Sequence, residues 1–125
     1  MAGVTMDTGG LIALERNDRR VVALLVRARE TGARLTVPAT ALAQAIRQPE
    51  RQARLARLVR QPTTDVVVLD RVDATNVGRL LAASGTADVV DAHVVVCARR
   101  AGQQVLTSDP EDLKALDPSI RLIKV

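Results

Sequence analysis

The stretch VTMDTGGLIALE, Val4 to Glu15, sets one carboxylate between two apolar runs. The first run, Gly3–Met6, reads as a short buried strand. The second follows Thr8, Gly9 and Gly10 and reads as a turn into a short helix, with Thr8 as a candidate N-cap. The two glycines read either as a plain turn or as backbone room beside the acid. Asp7, at the end of the strand, has two readings as well. It could cap the helix, or it could be the first ligand of a metal site whose other members lie far along the chain.

Outward from this unit, strands and helices alternate. Arg19–Thr31 carries Val21, Val22, Leu24, Leu25, Val26 and Ala28 and predicts a mostly buried helix, with Gly32 as its stop. RLTVP is a brief strand ending at Pro38. In ATALAQAIRQPERQARLARLVRQP, Pro49 marks a boundary between two helices and Pro62 ends the second. Leu55, Leu58 and Val59 give that second helix an apolar stripe. DVVVLD predicts a strand with a continuous apolar run from Val66 to Leu69, and Asp73–Ala83 a helix with a turn at Ser84–Thr86. ADVVDAHVVVCARRAG reads as a helix from near Asp88 to Gly102. Its many β-branched residues disfavour an isolated helix, so burial must override propensity there. QVLTS is a strand, PEDLKAL a helix with Pro110 at its start, and IRLIKV a closing strand. The pattern predicts one domain over residues 1–125, an α/β/α sandwich with a mostly parallel central sheet.

Composition narrows the chemistry. The chain is 47% hydrophobic yet has no Phe, Tyr or Trp, so aliphatic side chains fill its core and bases cannot stack on its own aromatics. Eighteen cations face 14 acids, a net charge of +4, and all the cations but Lys114 and Lys124 are arginine. Such an excess permits a phosphate-bearing or acidic partner. Cys97, the single cysteine, excludes an internal disulfide and reads as a small core thiol. One cysteine and one histidine argue against a structural zinc site. No stretch approaches the length of a membrane span and no signal peptide precedes Asp7, so a cytoplasmic protein with no membrane partner is expected.

In open α/β sheets, ligands bind beyond the carboxyl ends of the strands. Asp7 and Asp109 each follow a predicted strand, and Asp88 and Asp91 open a helix with a spacing that puts them on one face. Each has a plain reading as a cap or a first-turn acid. Together, three chain regions deliver acids to one predicted edge. Gathered carboxylates repel unless a cation neutralises them, and oxygen ligands favour Mg²⁺ or Mn²⁺. Such an ion lowers the pKa of a bound water and stabilises a phosphodiester transition state.

MDTGGLIALE, VPATALAQAIR, DVVDAHVVVCARRAG and VLTSDPEDL, in that order, resemble the PIN-domain family, and in particular the VapC-type toxin ribonucleases of toxin–antitoxin pairs. The resemblance spans almost the whole chain. It implies a parallel sheet flanked by helices, an acidic pocket for Mg²⁺ or Mn²⁺, cleavage of RNA, a homodimer, and a small antitoxin that blocks the pocket. By position it makes Asp7 the first metal-binding acid, Asp91 the third with Asp88 beside it, and Asp109 the fourth. Thr107 and Ser108 would orient Asp109, and Thr8 would be a polar neighbour of the pocket. The sequence departs from the family at the second acid, where Gln44 stands in place of a glutamate. Glutamine keeps an acceptor but loses the charge and cannot act as a base. Either Asp88 supplies the missing charge and the nuclease is active, or the domain is a binding module without turnover.

His93 lies two residues from Asp91 and should point away from it, as a partly buried or surface structural histidine. Arg47, Arg51 and Arg54 would form one stripe on an unbroken helix, although Pro49 can shift it. They read as a solvated face or as a phosphate-contacting rim near the acids. A receiver-type phosphoryl-transfer domain also places Asp after strands. It would want a lysine or threonine near the last strands, and here Lys114 falls in a helix and Lys124 at the terminus.

Overall fold

The computed structural model describes residues 3–125. Five strands form one sheet: β1 (Val4–Met6), β2 (Leu35–Pro38), β3 (Thr64–Val67), β4 (Gln104–Thr107) and β5 (Leu122–Lys124). Every pairing is parallel, and the strand order is β3-β2-β1-β4-β5. Seven helices connect the strands: α1 (Thr8–Glu15), α2 (Arg19–Thr31), α3 (Ala39–Ala45), α4 (Ala53–Val59), α5 (Arg71–Ser84), α6 (Val89–Ala101) and α7 (Pro110–Leu116). This is the expected α/β architecture, with the sheet wholly rather than mostly parallel.

A parallel sheet covered on both faces needs strands that are apolar or satisfied on both sides. The central strand β1 meets this requirement, since Val4, Thr5 and Met6 are all buried. Met6, Leu11, Val37, Val94, Val95, Val105, Leu106 and Leu113 form the middle of the core. α6 is buried nearly all round, through Ala92, His93, Val94, Val95, Cys97 and Ala98. Packing therefore overrides its β-branched composition. Gly102 closes it at φ 64°, a left-handed turn that glycine adopts without a Cβ penalty.

The apolar run Val66–Leu69 does not form a buried strand. β3 ends at Val67 and pairs only with β2, so it is an edge, and Val66 and Val68 are exposed. Between Ile46 and Gln52 the chain leaves the α-helix, and Pro49–Arg51 is a single 3₁₀ turn. Among the described residues no single helix is long and apolar enough to cross a membrane.

Candidate metal centre

The sheet reverses its winding between β1 and β4, and this switch point is where open α/β sheets form a crevice. β1 and β4 are parallel neighbours with Met6 opposite Leu106, so the residues that follow them emerge over the same edge. Asp7 follows β1. It is buried, and its Oδ1 accepts the Gly10 amide at 2.8 Å. Asp7, not Thr8, is therefore the N-cap of α1, and Thr8 is its first helical residue. The strand ends at Met6 as expected, and the helix begins directly after Asp7, whose buried carboxylate satisfies an orphan amide of the first turn.

The glycines that follow hold α1 against the end of β4. A Cβ on Gly10 would lie 2.6 Å from the Leu106 carbonyl oxygen, and one on Gly9 would overlap the Ser108 hydroxyl. The reading of these glycines as backbone room thus has a geometric basis. Ser108 accordingly faces Gly9. Thr107, fully buried, accepts the Asp109 amide at 2.8 Å, and its hydroxyl also bonds the Asp7 carboxylate. One threonine thereby braces both strand-end acids.

Asp88 caps α6 by accepting the Asp91 amide at 2.9 Å, which leaves Asp91 half-buried in the first turn. Burial first, and then the charges of Asp88, Asp112, Asp7 and Asp109, together raise the Asp91 pKa to about 6. Burial also raises Asp7, against the Thr107 hydroxyl and the Gly10 and Gly9 amides, which favour its charged form; Asp109 pushes it up further. Asp112 is raised by a hydrogen bond to Asp109 and by the Asp109 charge. Asp7, Asp88, Asp91 and Asp109 are thus brought into mutual electrostatic reach, and Asp112 joins them. The sequence reading missed Asp112. The available signal was its spacing, three residues after Asp109, one turn along α7.

Among the described residues, none of these five acids forms an ion pair with Lys, Arg or His. A set of oxygen donors, three of them (Asp7, Asp91 and Asp112) with raised pKa values and none in an ion pair, fits a hard divalent cation of the Mg²⁺ or Mn²⁺ kind.

Gln44 lies at the side of this group. Its Oε1 accepts the Thr8 hydroxyl at 2.7 Å, so its side chain is anchored one residue from Asp7. Arg47, Arg51 and Arg54 do not form one helical stripe, because the chain between α3 and α4 is broken at Pro49. Arg47 and Arg51 line a cleft of about 310 Å³ with Ile12, Glu15 and Arg16. Arg54 donates to the Glu15 carbonyl at 3.3 Å. His93 is wholly buried, which corrects the expectation of a partly exposed ring. It turns away from Asp91, and its Nδ1 pairs with the Thr40 hydroxyl at 2.7 Å. Burial is complete because α5 packs over α6, a contact that sequence spacing does not reveal.

Fold and site together define a doubly wound α/β domain with a group of acids gathered at its switch point. The chain belongs to the PIN-domain family, whose profile matches residues 4–117. Members of this family are generally nucleases and typically bind a divalent metal. Similar solved structures include FitAcB from Neisseria gonorrhoeae, at 16% identity and TM-score 0.65 over 97% of this chain and 96% of that one. FitAB bound to an IR36 DNA fragment matches at 14% identity and TM-score 0.66, over 97% and 94%. VapBC2 from Rickettsia felis, bound to a DNA fragment from their promoter, matches at 11% identity and TM-score 0.67, over 98% of each chain. No curated protein matches the sequence.

Proposed function

We propose that the protein is a metal-dependent endoribonuclease and the toxin of a toxin–antitoxin pair. The observation that carries this reading is the convergence of Asp7, Asp88, Asp91, Asp109 and Asp112 at the switch point, none of them ion-paired among the described residues. Asp7, Asp91 and Asp109 would hold Mg²⁺ or Mn²⁺, with Asp88 as charge support. When bound, the ion supplies Lewis-acid stabilisation of the phosphodiester and acidifies a water. Asp88 caps α6 through Oδ1, and its Oδ2 is the candidate base for the proton of the attacking water. Thr107 keeps Asp7 and Asp109 oriented. Arg47, Arg51 and Arg54 would contact RNA phosphates, which the acidic crevice alone would repel.

The partner proposed is a small antitoxin protein. A cleft of about 270 Å³ between α1, α2 and α4 has an apolar floor of Leu14, Val22, Leu25 and Val26 and a rim of Arg29, Arg54 and Arg57. That chemistry suits an amphipathic, acidic segment. A homodimer and a cytoplasmic location are part of the same reading. Incubation of the purified protein with RNA and Mg²⁺ or Mn²⁺ should yield cleavage that EDTA stops. Cleavage absent in both metals, or unchanged in Asp7→Asn and Asp91→Asn, would sink the proposal.

A second reading rests on Gln44. Its amide carries no charge and is engaged by Thr8. A binding module would retain RNA or partner binding in gel-shift experiments while showing no turnover at any metal concentration.

A further inference from the structure

Away from the acidic crevice, the core holds a second group of side chains with ligand chemistry. Asp73 on α5 and His93 and Cys97 on α6 are all buried, and one ligand atom from each lies within 4.8 Å of the others. His93 and Cys97 are four residues apart and share one face of α6. His93 Nε2 is fully buried and makes no hydrogen bond of ordinary geometry. It lies 3.8 Å from Asp73 Oδ2, and the Val68 carbonyl is near enough to accept weakly from the ring. An unpartnered buried ring nitrogen costs about 1–3 kcal/mol, so a core that keeps one calls for an explanation.

The surroundings resemble the outer shell of a metal site. Metal-bound histidines as a rule donate their other ring N–H to an oxygen, which fixes the tautomer. His93 Nδ1 pairs with Thr40 Oγ1 at 2.7 Å, and a proton on Nδ1 leaves the Nε2 lone pair facing Asp73 and Cys97. Asp73 is oriented in turn by Arg100, which binds its Oδ1 and leaves Oδ2 directed at the ring. Tetrahedral Zn²⁺, with bonds of about 2.0–2.3 Å, sets its ligands roughly 3.3–3.8 Å apart. The Asp73–His93 separation of 3.8 Å lies at the upper end of that range, and the Cys97 sulfur is within 4.8 Å of both.

We propose that Asp73, His93 and Cys97 form a buried Zn²⁺ site, separate from the acidic crevice, in which Asp73 Oδ2, His93 Nε2 and the Cys97 thiolate are the protein ligands. A nitrogen, a sulfur and one carboxylate favour a borderline ion over Mg²⁺. The thiol proton leaves to solvent as the S–metal bond forms. Two anionic ligands then neutralise Zn²⁺, and Arg100 stays on the outer carboxylate oxygen. Arg100 is half-exposed and lines a cleft of about 720 Å³ between α5, α6 and α7, so its movement would give a cation access. The bound ion would pin α5 to α6, the helix whose first turn carries Asp88 and Asp91.

Co²⁺ titration of the chelator-stripped, full-length protein tests this, because thiolate-to-cobalt charge transfer is visible and an all-oxygen site has none. The expected result is a charge-transfer band saturating at one Co²⁺ per chain, displaced by Zn²⁺, retained in Asp7→Asn/Asp91→Asn and absent in Cys97→Ser. Zn²⁺ should also raise the Tm of the double Asn variant by about 10 °C at a hundredfold excess over Kd. Cys97→Ala, a small change at a buried position, should keep the metal-free Tm and lose that rise. No charge-transfer band in folded protein at saturating Co²⁺, a band that survives Cys97→Ser, or an equal Zn²⁺ response in Cys97→Ala would each overturn the proposal.

Discussion

The Thr8 hydroxyl donates to Gln44 Oε1 at 2.7 Å, joining the first turn of α1 to α3 beside the buried Asp7 carboxylate. A glutamate at position 44 could accept the same hydrogen bond, so Gln44→Glu should fold unchanged. It would add a carboxylate beside the five others. Without metal the added repulsion should lower Tm; with Mn²⁺ the extra charge should tighten binding by roughly tenfold, about 1.4 kcal/mol of Coulomb energy at an intermediate dielectric. Calorimetric titration with Mn²⁺ measures this directly. Equal affinities would place residue 44 outside the reach of the ion.

Asp91 gives a pH signature. Its pKa is raised in the folded chain from 3.8 to about 6 by burial and by Asp88, Asp112, Asp7 and Asp109. For a carboxyl raised on folding, the native state holds more protons than the unfolded one across that window. Stability from this group is therefore present below 3.8 and lost as pH rises to about 6. In metal-free protein, Asp91→Asn should abolish that part of the decline and be more stable than the parent at neutral pH. In saturating Mn²⁺ the order should reverse, because the parent alone gains the ion. Thermal melts at several pH values, with EDTA and with Mn²⁺, decide it; a metal-free Asp91→Asn less stable than the parent at pH 7.5 contradicts the repulsion.

What the sequence disclosed follows from how local each signal is. The alternation of strands and helices, and the stops at Gly32 and Gly102, depend on neighbours within a turn or two, and they read directly. Asp7 and Asp109 could be placed at one edge because a parallel sheet forces strand ends together. Asp112 was passed over because an exposed acid in a first turn has a sufficient reading as a partner of the helix dipole. Its role shows only in its bond to Asp109 and its effect on Asp91. The exposure of Val66 and the burial of His93 depend on which element lies alongside, and neither sheet order nor the α5–α6 contact is written in the local pattern.

Thr107 couples the two strand-end acids, so Thr107→Val should disturb both without changing shape. Valine removes the acceptor of the Asp109 amide and the donor to Asp7. The side chain is fully buried, so the cost is about 1–3 kcal/mol, that of leaving buried partners unpaired. Asp7 also loses a bond that favours its charged form, so its pKa rises further. Mn²⁺ binding should then require a higher pH than in the parent. A stability loss with no shift in the pH dependence of Mn²⁺ binding would mean that Thr107 supports the fold alone.

The contact between α1 and β4 separates two neighbouring glycines. A methyl group on Gly10 would press on the Leu106 carbonyl oxygen at 2.6 Å, which is backbone and cannot yield. A methyl group on Gly9 meets the Ser108 hydroxyl first, a side-chain atom that can rotate. Gly10→Ala should therefore cost about 1–3 kcal/mol, as overpacking does, and displace the Asp7 cap. Gly9→Ala should cost less, and pairing it with Ser108→Gly should recover part of the loss. Urea unfolding of the single and double variants gives the coupling between positions 9 and 108 as a double-mutant cycle. Strict additivity there would mean that the hydroxyl is not what excludes a side chain at Gly9. Mn²⁺ affinity should fall with Gly10→Ala more than with Gly9→Ala, because the Gly10 amide caps Asp7 Oδ1 at 2.8 Å and its backbone is the one forced to shift.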